Sequence, residues 1–348
     1  MNIKGLEISE LQSWLSTYNL PRFRGSQIYQ WLYQKGACDW DELTVLPREL
    51  RETFKAQNVE LGCLKLLAKE RDPDGTAKFL FGLADGDCVE SVYIPEGERH
   101  TVCFSTQVGC GMGCRFCATG QLGLVRNLTA GEIVDQPLSI GRDAKVRINS
   151  LVAMGQGEPL ANYDQLLKAI RIINDPEGMG IGARHITIST CGLVPGIKRL
   201  AGENLQLNLA VSLHAADDRL RDELMPINRN YPVRAVLDAC RYYVGVTGRR
   251  VTFEYTMMAG VNDREADLRQ LAAALKGMLC HVNLIPFNAV PGSPYQRSAP
   301  ERIRHFERGL RDEGIEVTVR RERGLELTAA CGQLRGKRLT DEHSAPVS

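Results

Sequence analysis

Between residues 101 and 320 short apolar runs alternate with helical stretches, and this alternation leaves few folds open. The runs are TVCFST, RINSLVAM, HITIST, LQLNLAVSLH, VTFEYTMM and HVNLIPF. Between several of them lie AGEIVDQPLSIG, YDQLLKAIRIIND and READLRQLAAALKG, whose apolar residues recur at helical spacing. Strands separated by helices pair in parallel, with the helices as crossovers. About six such units fit, fewer than the roughly eight of a closed TIM barrel. The expectation is an α/β protein, an open, partial (β/α)6 barrel over 101–320. Loops at the C-terminal ends of its strands would form the active face.

Ahead of the barrel the pattern changes twice. Residues 1–60 read as helical. ISELQSWLSTYNL puts Leu11, Trp14, Leu15 and Tyr18 on one face, with Ser9 as a candidate N-cap. RGSQIYQWLYQKG repeats the pattern with Ile28, Trp31 and Leu32 and stops at Gly36, and LPRELRETF starts a third helix near Pro47. Residues 61–100 hold two β-prone runs around Asp85-Gly86, a small β-hairpin linking helices to barrel. Residues 321–348 form a C-terminal segment. No fixed-period repeat or low-complexity segment is present.

Lys and Arg number 43 against 42 Asp and Glu, so global charge advertises no nucleic-acid partner. The start, MNIKGLEISELQSWL, lacks the apolar centre of a signal peptide, and no run reaches the ~20 residues that span a bilayer. A cytoplasmic protein without membrane contact is expected. Its thiols would stay reduced, so the 11 cysteines should not form a disulfide framework. Dispersed ones, Cys38, Cys63, Cys88, Cys240 and Cys280, read as small apolar residues or inert thiols.

GCGMGCRFCATG, residues 109–120, departs from that background. Cys110, Cys114 and Cys117 crowd a glycine-rich loop directly after the first barrel strand. Glycines let a backbone wrap a compact group. A structural zinc site ordinarily closes with four ligands, and no fourth stands nearby. Core cysteines by coincidence are another reading. An iron–sulfur cluster commonly takes four thiolates; with three, one iron stays open to an exogenous molecule.

The Cys-x3-Cys-x2-Cys spacing, with Phe116 before the last cysteine, resembles the signature of the radical S-adenosylmethionine (SAM) superfamily. The resemblance implies one [4Fe-4S] cluster on Cys110, Cys114 and Cys117, SAM chelated at the open iron, and cleavage of SAM to a 5′-deoxyadenosyl radical. AMGQGEPLAN is similar to the superfamily's glycine-rich motif for the SAM amino group, with Gly157 and Glu158 as contacts; alone it reads as a strand-to-helix turn. Ser189, Ser212, Leu213 and His214 occupy places where the superfamily binds SAM, although His214 by itself reads as a satisfied structural histidine. Asn288, after the sixth strand, matches an adenosine contact or caps a turn. Two departures stand out: Gln156 in place of a methionine, and Cys191 beside Ser189.

QIYQWLY, TVCFSTQVGCGMGCRFCATG, RNLTAGEIVDQ, SLHAADDRLRDELMPINR and AACGQLRGK resemble the RlmN/Cfr family of RNA adenine methyltransferases over nearly the whole chain. The helical N-terminal part, an RNA-binding accessory unit, is similar to the RlmN branch. Carbon 2 of adenine is an electron-poor C–H position and no nucleophile, so ordinary attack on the SAM methyl fails there. The resemblance implies that Cys331 takes a methyl from one SAM and that a second SAM supplies the radical, two per turnover. Cys103 then resolves the adduct through a transient disulfide with Cys331, and Glu90 accepts the ring proton. The two Cα atoms should come within about 7 Å. Taken singly, Cys103 reads as a packing cysteine, Glu90 as a hairpin carboxylate and Cys331 as a loop thiol.

Residues 301–338 carry ten Lys and Arg against seven Asp and Glu, and VRRERG and RGKR flank Cys331. They suit RNA phosphates or simply solvent. The implied partners are 23S rRNA, at an adenine of the peptidyl-transferase loop, and tRNA, at the adenine 3′ of the anticodon. Each base must leave its stack. An external electron donor such as flavodoxin or ferredoxin would serve a monomer. Rival readings are Cfr-type methylation at carbon 8, a radical SAM enzyme on a non-RNA substrate, and a non-catalytic iron–sulfur electron carrier.

Overall fold

A computed structural model describes residues 1–288, 293–320 and 327. Three helices open the chain: α1 (Ile8–Ser16), α2 (Arg22–Tyr33) and α3 (Arg48–Ala56). α1 is capped by Glu7 and not by Ser9. The Glu10 carboxylate accepts from the Glu7 N–H at 2.8 Å, a reciprocal box that moves the start two residues upstream. Leu11 and Leu15 are buried as expected, whereas Trp14 and Tyr18 are half-buried and pack on Phe54 of α3, with centroids 5.1 and 5.2 Å away.

The expected hairpin is a three-stranded apron. β1 (Lys65–Arg71), β2 (Ala77–Gly82) and β3 (Cys88–Glu96) are antiparallel, and β3 pairs antiparallel with β4 (Arg99–Cys103), the first barrel strand. KLLAKER concealed β1, because it is largely solvent-facing and charged. β5 (Gln107–Cys110), α4 (Ala118–Gln121) and β6 (Gly123–Asn127) then form a separate hairpin around the cysteine loop.

The chain continues through α5 (Ala130–Ala144), β7 (Ser150–Ala153), α6 (Tyr163–Asn174), β8 (Ile186–Thr190), α7 (Val194–Ala201), β9 (Asn208–Ser212), α8 (Asp218–Leu224), α9 (Val233–Thr247), β10 (Val251–Met257), α10 (Glu265–Leu275), β11 (Cys280–Pro286), α11 (Pro300–Asp312) and β12 (Glu316–Val319). Thr129 and Glu132 cap α5 reciprocally, which explains the polar LTAGE opening. β4 and β7 to β12 pair parallel in sequence order, so the described barrel strands number seven rather than six. The added strand is EVTV, too short to stand out. Among the described residues the sheet is open, an α/β architecture with β1 and β12 at its two edges.

One apolar cluster runs from Ile3, Leu11, Ile28 and Phe54 of the helical layer through Val102, Ile133 and Ile170 to Phe253 and Val282 of the barrel. Cys240 and Cys280 are buried in it, as expected. Cys38 and Cys63 depart from expectation. They are joined in a disulfide between the turn after α2 and the loop before β1. No described helix is long and apolar enough to cross a membrane.

Candidate active site

β5 delivers Cys110 to the C-terminal end of the sheet. Gly109 has φ +72°, and a Cβ there would lie 2.0 Å from the Gly123 carbonyl oxygen, so the hairpin backbones can approach only without a side chain. A Cβ on Gly120 would meet the Cys114 backbone at 2.9 Å. The Arg115 N–H donates to the Leu224 carbonyl at 3.0 Å, tying the loop to α8. Met112, Cys114 and Phe116 pack on buried Cys191, Leu224, Met225, Met258 and Phe287. Burial, then the neighbouring loop thiols and Glu158, pushes the Cys114 thiol far up; burial pushes Cys110 up to about 11.

The residues after β7 fold against the start of β5. The Gln156 carbonyl accepts from Thr106 N and Gln107 N at 2.8 and 3.2 Å, and its own N–H donates to Ser105 Oγ at 2.8 Å. Gly157 has φ +101°, and a Cβ would meet Gln107 Cβ at 2.6 Å. Glu158 is 3% exposed. Its Oε1 accepts from Leu160 N at 3.0 Å and its Oε2 from Cys191 N at 2.7 Å. Burial raises its pKa, and these donors oppose the rise. The Cys191 thiol is held well up by burial and then by Glu158, so Cys191 belongs to this pocket.

Ser189 and Ser212 stand half-buried near the C-terminal ends of β8 and β9. Leu213 is buried, with its N–H on the Glu254 carbonyl at 3.1 Å. His214 follows at φ +56° and is 4% exposed. Its Nδ1 accepts from Thr256 N at 3.0 Å, so the neutral ring carries its proton on Nε2. Burial, then Arg221, holds it neutral with a pKa of about 3. The ring meets Phe116 edge-on at 4.7 Å, which brings β9 and the cysteine loop together. Asn288 lies exposed beyond β11, directly after Phe287 of the cluster on which Cys114 and Phe116 pack.

Glu90, in β3, is 4% exposed and not a surface carboxylate. Cys103 pairs with Val92 across β3 and β4. Residues two apart share a sheet face, so Glu90 and Cys103 lie on the same face, offset by two residues of register. Ser105 Oγ donates to the Glu90 carbonyl, joining this strand to the 155–158 turn. Burial pushes the Cys103 thiol up to about 11 against the pull of Arg320. Cys331, its expected partner, and the basic groups around it lie outside the described residues.

Two sequence families match this chain: the radical SAM superfamily over residues 104–272, and the ribosomal RNA large subunit methyltransferase N-terminal domain over residues 1–59. A relative from Symbiobacterium thermophilum, named "Probable dual-specificity RNA methyltransferase RlmN", is 51% identical over 342 residues, covering 96% of this chain and 91% of the relative. One of the same name from Geobacillus kaustophilus is 48% identical over 98% of this chain and 94% of the relative. The crystal structure of a radical SAM methyltransferase from Sphaerobacter thermophilus superposes with a TM-score of 0.92 at 49% identity, covering 96% and 98% of the two chains.

The chain belongs to the RlmN family of radical SAM RNA methyltransferases. Membership implies a [4Fe-4S] cluster and SAM, and the RlmN-type site fits both. Thiols desolvated beside a carboxylate become thiolates only against compensating cations, and soft iron supplies them. Among the described residues, the trio of metal-binding side chains whose ligand atoms all lie within 4.8 Å is Cys38, Cys63 and Asp135. The three loop thiols are not gathered that closely. The side-chain amide of Gln156, 1% exposed, makes no hydrogen bond among the described residues and leaves a donor and an acceptor for a polar ligand.

Sequence reasoning missed Arg221. Fully buried, it donates to the carbonyls of Leu213 at 3.1 Å, Cys191 at 2.6 Å and Ser212 at 3.2 Å, and to Asn228 Oδ1 at 2.9 Å. It fastens the ends of β8 and β9, and its charge reaches Cys114. An arginine in RLRDEL otherwise reads as a solvated helix face, so no pattern marked it. Buried Glu254, which accepts from Asn283 Nδ2 at 2.8 Å, was equally hidden.

Proposed function

We propose that this RNA methyltransferase modifies carbon 2 of an adenine in 23S rRNA and of the adenine 3′ of the anticodon in tRNAs. It uses two SAM molecules per turnover and acts as a cytoplasmic monomer fed by flavodoxin or ferredoxin. The cluster with SAM would supply an organic radical able to abstract hydrogen from an unactivated methyl group. Cys110, Cys114 and Cys117 hold the cluster. Gly157, Glu158, Ser189, Ser212, Leu213, His214 and Asn288 hold SAM. Nε2–H of neutral His214 is a donor, and the Glu158 carboxylate an acceptor for an ammonium.

Cys331 carries the methyl as a thioether, having displaced it from SAM. Once carbon is joined to the ring, the adduct gives one electron back to the external carrier and Glu90 takes the ring proton. Burial keeps the Cys103 thiol protonated until a base removes its proton. Cys103 then attacks the Cys331 sulfur as a thiolate, and the sulfur–carbon bond breaks toward carbon. That carbon takes up a proton to become the methyl group, while the two sulfurs are left as a disulfide that thiols reduce. The observation that carries this reading is the shared sheet face of Glu90 and Cys103, immediately upstream of the cysteine loop. The match of residues 1–59 to a ribosomal RNA methyltransferase domain favours the RlmN regiochemistry.

The test is mass spectrometry of nucleosides from a host lacking such an activity and expressing this chain. 2-Methyladenosine is expected in both 23S rRNA and tRNA. Appearance of 8-methyladenosine without the 2-methyl isomer would overturn the assignment.

A further inference from the structure

The proposed reaction makes no use of the Cys38–Cys63 pair, yet its surroundings are charged. Both residues are half-buried and line a surface groove with Asn2, Lys55, Lys65 and Glu132. Lys4 Nζ lies 2.9 Å from Cys63 Sγ and 2.6 Å from Asp135 Oδ1. Arg142 reaches Cys38 Sγ while donating to the Gly36 carbonyl at 2.8 Å. Two cations and one carboxylate therefore surround the sulfurs, leaving an excess positive charge.

That charge does little for a neutral disulfide and much for thiolates, so it favours the reduced pair and speeds thiol exchange. The backbone favours the bond, because the Cα atoms stand 5.6 Å apart, within the span a disulfide bridges without main-chain movement. Opposed preferences of this kind suit a pair that is made and broken. A metal is the alternative suggested by Cys38, Cys63 and Asp135. The Lys4 ammonium already stands between Asp135 and Cys63, where such an ion would sit.

We propose that Cys38 and Cys63 are a redox-reversible pair, oxidised by a small-molecule disulfide such as oxidised glutathione and reopened by thiols. One cysteine thiolate attacks a sulfur of the oxidant and releases one glutathione; the other displaces the second. Two electrons pass from the cysteine pair to the oxidant, and the two cysteine protons end on the released thiols. The bond closes a loop of sequence separation 25 that carries α3, beside the contact of Lys4 with α5. Oxidation thus closes a covalent loop around α3 within the helical layer.

The test equilibrates the anaerobic holoenzyme in glutathione buffers of graded oxidised-to-reduced ratio, then quenches with acid, alkylates and maps peptides by mass. A linked Cys38–Cys63 peptide should rise with the ratio, vanish on return to thiol, and raise the melting temperature. Arg142→Met should move the midpoint roughly tenfold toward the disulfide, since a charge-assisted contact of the reduced form is lost. Cys38→Ser should leave Cys63 as a mixed disulfide with glutathione, with iron content unchanged. Separate alkylation of both cysteines at every ratio, a midpoint unmoved by Arg142→Met, or a metal ion lost in Cys63→Ser would each overturn the proposal.

Discussion

His214 shows how far a single side chain is committed by its surroundings. Its Nδ1 is taken by the Thr256 N–H, and burial, then Arg221, drops its pKa from 6.5 to about 3. The folded state then refuses a proton that the unfolded chain accepts below 6.5. This contribution to stability is complete above pH 6.5 and is lost progressively as pH falls toward 3. Acidification from pH 7.5 to 5 should cost the native protein about 2 kcal/mol through this group. Urea unfolding of the native chain and His214→Asn at both pH values measures it. Equal acid losses in the two proteins would show that the imidazole is not the source. Gly157 is committed differently. Alanine there faces both φ +101° and Gln107 at 2.6 Å, so Gly157→Ala should lower stability by about 2 kcal/mol and abolish SAM binding, read by thermal melting and calorimetry. The close backbone approach at Gly157 was legible because a glycine motif announces it, though the group it approaches in the fold is Gln107. Arg221 was not, because burial of a long cation is decided by carbonyls that sequence does not display.

Among elements, the join between the first residues and α5 concentrates the most charge in the driest place. Lys4 and Asp135 pair at 2.6 Å with side chains 0% and 1% exposed, and Asp135 also accepts from Leu64 N at 2.7 Å and Ser139 Oγ at 3.0 Å. Removing one partner strands the other. Lys4→Met should destabilise by about 3 kcal/mol in chemical denaturation, whereas an exposed pair such as Arg234 with Asp238 should be worth less than about 1 kcal/mol. A small loss from Lys4→Met would mean that water or Arg142 reaches Asp135. Elements with a strong period or an unbroken apolar run, such as α5, α6, α10 and the barrel strands β4 and β7 to β11, were readable in advance. β1 and β12 were not. The first is charged and solvent-facing, and the second is four residues whose pairing is supplied by β11. The apron was read as a bridge because antiparallel continuity from β3 into β4 is a long-range fact that no local pattern carries.

Among the described residues, beside the β5–β6 hairpin and a smaller apolar cluster at the cysteine loop, one ten-stranded sheet and one large apolar cluster bind the molecule together. Ile3, Leu15 and Phe54 share that cluster with Ile133, Ile170 and Val282, so the helical layer has no separate core to fall back on. Calorimetry of the metal-free chain should give one cooperative transition; two resolved transitions would assign the helices their own stability. The same continuity bears on the reach of the chain beyond β12. Arg320 is anchored by its N–H on the Leu284 carbonyl at 2.8 Å, and its charge is felt by both Cys103 and Glu254. Ten residues lie between Arg320 and Cys331, so eleven Cα–Cα steps span at most about 40 Å. In the proposed scheme the Cys331 sulfur therefore stays within that span of an anchor whose charge Cys103 feels. In that scheme the closing strand turns a meeting of cysteines far apart in sequence into a search within one small volume.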